Sequence, residues 1–565
     1  MAILVLYVLV APAHIVDGDN AEFVTAGTIG GVPHPSGYPL YMLWLRATSW
    51  IPGETPAHSA AIATAVLGAA TMLVLHAACR AWGARPLAAS LAVAVFAAAP
   101  VVLRVSTEAE VFALNMLVVA TVVWLAAREG PVRGLRRAVL LALVAGLGMS
   151  NHMTCTLMAP VGILGVVRGV REAGSSRSVV LAATALAFVV GLLPYAYLAV
   201  TETTPISWRT IDSVGDVVHH ALRMDYGGPG AFSPSRDPVA FTDNIRAYVE
   251  MLARTWLWAL APLGLAMFGA RIARPAGETR WAWVLLATSF LLAGPLLVAR
   301  FNVPPVGVGL AVCHRFHVMS ALLLVVPVAV GLDWLGARIA ERRPVKIRGW
   351  LGAVSSVVVL AAVASRSLPK HSPAVEACVT NLLASVPQNS VVIVSEDYLY
   401  FGALYRQYVI GQRPDVTMVS WGQLLNPGYR ARLAERSGIT AVIPPDKRAS
   451  ITVADDVLAR GRPLYIDPAQ INIMRTFPTV PYGILFRVLP RGAPLPPIEE
   501  VFATNKQLFA GFRFDYPVPD PDDDYAAHVH DRYARVWRVI GRALATVQRR
   551  EDAAFAFELA RTLRP

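Results

Sequence analysis

Asp17, Asp19 and Glu22 crowd into one short stretch, VDGDNAEFVTAG, and the chain runs on through GGVPHPSGYPLY, which adds His34 and Tyr38. Paired carboxylates beside an imidazole and a phenol are the groups that general acid–base chemistry uses. The Gly and Pro density around them imposes a particular backbone path, and rigidity of that kind beside carboxylates points to a site. A helix starting near Asn20 would make Asp19 its N-cap and place Glu22 in its first turn, a structural role that needs no chemistry. Further along, STEAEVFALN offers Glu108 and Glu110, and GMSNHMT offers His152 between two apolar runs. Residues two apart on a helix point in different directions, so Glu110 is expected to face inward and Glu108 to face water. CHRFH supplies His314, Arg315 and His317; with Arg300 these form a fork of donors and a fixed positive charge suited to a phosphate, or to snorkelling at an interface. Trp208 and Tyr226 lie in the polar stretch 201–250.

The elements that must hold these residues are apolar runs. The chain has 565 residues, is 55% hydrophobic and has a mean hydropathy of +0.50. That is too apolar for a soluble protein, and the C-terminal end is too charged to be wholly embedded. Candidate spans fall at 2–16, 58–79, 86–103, 111–127, 138–149, 153–167, 178–200, 252–270, 281–299, 316–337 and 350–366, about eleven in all. The stretch 138–167 is read as two short spans hinged at Ser150-Asn151-His152, because all basic loops then share one side. Seventeen Arg and Lys occupy that side, chiefly in loops 128–137, 168–177, 271–280 and 338–348; the short loops opposite hold only Arg46, Arg104, Arg300 and Arg315. Basic loops mark the cytoplasmic face. The acidic and His-containing residues therefore face outward, with everything after Pro369. In a bacterium this is an integral protein of the inner membrane. The net charge of +12 reflects the cytoplasmic Arg residues, so no nucleic-acid partner is expected. The run Met1–Val16 is short and lacks a basic flank, fitting neither a signal peptide nor a full span, so the natural start is expected a few residues upstream. Cys313 and Cys378 both face outward and are able to pair, and no CxxC-type metal spacing occurs.

Three blocks follow: a membrane block at 1–369, an α/β domain at 370–525 and a helical end at 526–565. In the second, SVVIVS, VTMVSW, TAVIP, PLYID and YGILFRV read as strands and YLYFGALYRQYVIGQ as a helix, implying a mostly parallel sheet. The end, EDAAFAFELARTLRP, resembles the second helix of a tetratricopeptide repeat; one repeat cannot bury its face alone and is expected to pack on the α/β domain or to serve a partner.

The run Gly18–Phe23 (GDNAEF) resembles the "GDSGEF" start of a family of polytopic membrane proteins once filed under unknown function. That family is now linked to protein O-mannosyltransferases, including the vertebrate enzyme that modifies IPT domains. HPSGYPLY, EVFALN and GLGMSNHMT are similar to the family's "HPPGYPLY", "EVYALN" and "GLxxTHH", with looser matches at Trp208, Tyr226 and Arg315–Phe316 and at QRPDV (412–416). Asn151 stands where the family has the first of two His. The resemblance implies a GT-C-type fold of helices with an outer-face site and a soluble domain. It also implies transfer of a sugar, mannose in the family, from a polyprenyl phosphate to a protein hydroxyl with inversion. Asp19 would be the base, and Glu22 and Glu110 would orient hydroxyls. His34, Tyr38, His152, Trp208 and Tyr226 would bind substrate, and Arg315, helped by Arg300 or His314, would hold the leaving phosphate. Phosphate leaves readily, so no metal and no further cofactor are required. A lipid or polysaccharide acceptor fits equally. A proton-coupled transporter is the rival outside glycosyl transfer, and it predicts broken spans and internal repeats. No repeat is visible in the sequence.

Overall fold

The computed structural model describes residues 1–228, 241–273, 277–342, 349–369, 371–443, 449–521 and 524–564. Arg274, Arg343, Lys346 and Arg348 of the basic loops, and Pro444 of TAVIP, lie outside the described residues. Two compact units emerge. One comprises Met1–Ala13, Pro35–Val200 and Ile211–Pro369; the other comprises His14–His34, Thr201–Thr210 and Lys370–Pro565.

The first unit is helical. Four of its described helices are long and apolar enough to cross a membrane: Pro56–Ala81, Met153–Glu172, Arg177–Val200 and Gly277–Arg300. Three bent pairs raise this to seven if each pair is one span, and Phe112–Ala126 and Gly352–Ala364 are shorter apolar helices. The expected span 86–103 is one such bend, Pro86–Ala97 meeting Pro100–Thr107 at 73°, because Pro100 has no amide to continue the ladder. The expected span 252–270 is divided as well. Phe241–Thr255 carries polar and charged residues on one face and meets Leu260–Ala273 at 98°, through Leu257 and Trp258 with positive φ. The run 2–16 is helical only over Ala2–Val10, and 316–337 belongs to a longer bent pair, Val308–Leu323 with Val325–Glu341.

Around 150 the chain forms two elements, Gly134–Met149 and Met153–Glu172, as the charge pattern required. Helix Gly134–Met149 crosses Arg177–Gly191 through two glycines: a Cβ on Gly146 would stand 2.3 Å from the Phe188 carbonyl oxygen, and one on Gly191 2.5 Å from that of Leu143. Small residues allow backbones to approach this closely in an apolar bundle. Arg137 and Arg168, counted among the basic loops, are buried. Arg137 pairs with Glu172 and Arg168 with Glu278, each at 2.7 Å; Arg137 also donates to the loop carbonyl of Arg128 and Arg168 to that of Ala126 at a helix end.

The second unit is built on a five-stranded sheet of order β2-β1-β3-β5-β4, with β1 Val391–Val394, β2 Thr417–Ser420, β3 Leu464–Ile466, β4 Thr479–Tyr482 and β5 Leu485–Val488. β1 runs parallel to β2 and β3, while β5 runs antiparallel to β3 and β4. The parallel half agrees with the sequence reading. The run YGILFRV instead completes a hairpin that turns at Gly483, where φ is 59°. Residues 440–443 of TAVIP form no strand. The C-terminal helices Asp524–Thr546 and Arg550–Thr562 bury Trp537 and Ala556 and cover helix Ile498–Ala510 through Phe502 and Phe509.

Two outlying segments fold into this unit. Ile15 donates its amide to Glu376, and helix Asn20–Ile29 lies against the helical stretch 397–409. Segment 201–210 pairs with 31–32: Trp208 donates to the Val32 carbonyl at 2.7 Å and Val32 to the Ser207 hydroxyl at 3.1 Å. Gly31, with φ of 119°, admits no side chain, since a Cβ would meet the Thr204 hydroxyl at 2.4 Å.

Candidate active site

Two groups of chemically capable residues form, one in each unit. In the second unit, Asp19 caps helix Asn20–Ile29 by position, yet its side chain makes no capping bond. Glu22, in the first turn, is fully buried. Its two carboxylate oxygens hold His34, accepting the His34 amide at 2.8 Å and facing Nδ1 at 2.5 Å. Phe23 packs on the imidazole with ring centres 5.9 Å apart. Burial pushes the Glu22 carboxyl up from its ordinary range, His34 opposes that shift, and the negative charge of Asp19 adds to it. Asp17 is buried beneath the same turn. Glu22 thus holds His34 by both oxygens, and Asp19 beside it is half-buried.

Asp397 joins this group, and nothing in the motif reading pointed to it. It opens the helix that follows β1, and its side chain keeps contact with solvent. Surrounding protein, then the charges of Asp19 and Glu22, raise its carboxyl to about 7, partly opposed by His34. Its place at the carboxyl end of a central parallel strand is where open α/β sheets put ligands, and that was the available signal.

Asp19, Glu22 and His34 bring ligand atoms within 4.8 Å of one another, a donor set that suits a divalent cation. The direct Glu22–His34 bond already joins two of the three.

In the first unit the centre is His152. Its Nδ1 meets the Thr154 hydroxyl at 2.7 Å, and Asn115 donates to the same hydroxyl at 3.1 Å. Tyr38, Phe112 and Phe316 surround the imidazole at 6.0, 5.2 and 5.7 Å between ring centres. Asn151, in place of the family's first His, is a backbone tie that donates to the Val111 carbonyl. Glu110 pairs with Arg315 at 2.6 Å, and the guanidinium lies over Phe112. Glu108 is buried as well and pairs with Arg104 at 3.1 Å, which corrects the expectation that it would face water. A buried carboxylate needs a partner, and each of the two has its own Arg.

Other expected residues are placed more loosely. Arg300 ends its helix beside Phe301, whose ring meets Phe316 at a tilt with ring centres 4.9 Å apart, and His314 lies one turn from His317 in the same helix. Tyr226 stands in a short turn with Arg223 over its ring. Trp208 belongs to the second unit, held by its backbone to Val32. All four cysteines are free and buried, so Cys313 and Cys378 do not pair.

The comparisons with known proteins meet the motif resemblance. Residues 19–173 match the family model described as Protein O-mannosyl-transferase TMEM260 N-terminal domain. Protein O-mannosyl-transferase TMEM260 of Mus musculus is 26% identical over 448 residues, 76% of this chain and 63% of that protein. Protein O-mannosyl-transferase tmem260 of Dictyostelium discoideum is 22% identical over 269 residues, 44% and 33% of the two chains. The chain thus spans less than two thirds of the length of these relatives. Among solved structures, ArnT from Cupriavidus metallidurans bound to undecaprenyl phosphate superposes with a TM-score of 0.51 at 14% identity, covering 88% of this chain and 98% of that one. The chain therefore shares the fold of that solved structure, a GT-C fold.

Proposed function

We propose, with the O-mannosyl-transferase resemblance as premise, that this chain is a membrane glycosyltransferase. It takes a sugar, mannose by that resemblance, from a polyprenyl-phosphate carrier and transfers it to a protein hydroxyl on the non-cytoplasmic side. The observation that carries the reading is the Asp19–Glu22–His34 group, at the start of the stretch that matches the family model. Asp19 removes the acceptor proton, and the freed oxygen attacks the anomeric carbon with inversion. The bond to phosphate breaks, and the carrier leaves with the electron pair. Glu22 keeps His34 aimed at the same substrate. No step is routed through a metal. Nucleotide sugars stay in the cytosol, whereas lipid carriers deliver sugar across the bilayer, which explains an outward site. The basic loops of the opposite face support that orientation.

The broken helices at 97–100 and 255–260 favour one second reading, a transporter, since that class builds its sites from discontinuous spans. One experiment separates the two. Purified chain in lipid nanodiscs is given polyprenyl-phosphate mannose and acceptor peptides, and sugar transfer is followed by mass spectrometry. Transfer supports the enzyme; its absence with every lipid-phosphate sugar, together with solute uptake into proteoliposomes, replaces it with the transporter.

A further inference from the structure

The turn that carries Asp397 is gripped on both sides. Just before it, Ser395 donates its amide at 2.6 Å to the fully buried carboxylate of Asp467, at the end of β3. His528 and Arg532 are four residues apart on helix Asp524–Thr546 and so share one face. Arg532 is 6% exposed and donates to Glu396 at 2.9 Å, and the imidazole of His528 meets the same carboxylate oxygen at 3.3 Å. The same two side chains also reach the residue after Asp397. The Arg532 guanidinium lies over the ring of buried Tyr398, 5.9 Å from its centre, and the His528 ring stands edge-on to it at 6.3 Å. Both chain neighbours of Asp397 are thus held by one helix face drawn from a distant part of the sequence.

That grip leaves two adjacent carboxyl groups in opposite states. Burial pushes Glu396 up, but the His528 hydrogen bond and the Arg532 charge outweigh it and keep Glu396 ionised, below its ordinary value. Asp397 is raised to about 7 by burial, then by Asp19 and Glu22 of helix Asn20–Ile29, with His34 opposing and Glu396 adding its own charge. Neighbouring carboxyls tuned in opposite directions take different roles, one a fixed charge and the other a group that keeps a proton. A protonated carboxyl donates a hydrogen bond, which a carboxylate cannot do.

We infer that Asp397 contacts the sugar, donating from its carboxyl to a sugar oxygen, and that Arg532 and His528 are positioning residues that hold it there through Glu396 and Tyr398. The inference rests on the transferase reading and deepens it: Asp19 takes a proton from the acceptor, and its neighbour keeps one for the sugar. The C-terminal helix then serves the site as well as covering helix Ile498–Ala510.

The test follows mannose transfer from polyprenyl-phosphate mannose to acceptor peptide against pH, with purified full-length chain in lipid nanodiscs. The wild-type rate is expected to fall as pH rises through about 7, where Asp397 gives up its proton. Asp397→Asn should lack that fall, because an amide keeps its donor. Glu396→Gln removes a negative charge beside Asp397 and should move the fall to lower pH by at least about 0.5 unit; Arg532→Gln removes the charge that offsets Glu396 and should move it upward by about as much. Arg532→Lys keeps the charge and should restore the wild-type position. Arg538→Ala, on the same helix but paired with Asp531, should leave the profile as it is. Residues that merely support the fold would lower the rate without moving the fall in opposite directions, and that result overturns the positioning role. Should Arg532→Gln not fold, Glu396→Gln and His528→Gln, whose ring is partly exposed, decide the matter: an unmoved fall in both overturns it. A fall kept at the wild-type pH by Asp397→Asn would overturn Asp397 as the donor and leave the transferase reading standing. If wild type transfers no sugar at any pH, the transferase reading fails and takes this inference with it.

Discussion

Glu22 and Glu110 are two carboxylates buried to the same degree, and their partners make them different residues. Glu110 faces Arg315, a guanidinium that stays charged at any physiological pH. Glu22 faces His34, an imidazole whose ring nitrogens act as donor or acceptor according to the tautomer. The first pair is fixed in charge and positions the aromatic wall around His152. The second joins a buried carboxylate to an imidazole and stands next to the half-buried Asp19. Burial by itself does not distinguish a strut from a proton-handling group; the partner does.

The largest expected effect lies on the proton-handling side. Asp19→Asn should insert and fold normally while sugar transfer falls by about 10²–10⁴-fold, the contribution of a positioned general base. Transfer at the wild-type rate would move that role to Asp17 or Asp397.

On the fixed-charge side the loss should be of stability. Arg315→Met strands Glu110 without its counter-charge, and breaking such a buried pair costs about 3–5 kcal/mol. A large fall in thermal midpoint in detergent is expected, with much of it recovered in the double variant Glu110→Gln/Arg315→Met. An equal fall in single and double variants would mean the pair does not carry the effect.

The smallest effect is one of pH. The Asp397 carboxyl titrates at about 7 in the folded chain against an ordinary value of 3.8, so the folded state keeps a proton that the unfolded chain has lost between those values. Stability should therefore fall as pH rises through that window, and Glu22 acts with the same sign. Asp397→Asn should flatten the slope of midpoint against pH between 5 and 7.5, with the midpoint of Glu110→Gln as the reference from the other region. A slope unchanged in Asp397→Asn would show that its proton is not coupled to folding.

The sequence by itself determined the apolar helices, the three parallel strands and the clustering of Asp19, Glu22 and His34. Hydropathy, loop charge and short motifs are local properties, and the Glu22–His34 bond spans only 12 residues. Tertiary structure decided the rest. Glu110 and Arg315 lie 205 residues apart, so their bond could not be read from either neighbourhood. Glu108 turned inward because Arg104 was there to pair with it. The bend after Ala97 fell inside the run 86–103 that the sequence reading took as one span. Asp397 entered the site because helix Asn20–Ile29 packs on the helix after β1, a contact between segments nearly the length of the chain's membrane block apart. Burial of charge is permitted only where a partner arrives, and partners from distant segments arrive only when the chain has folded.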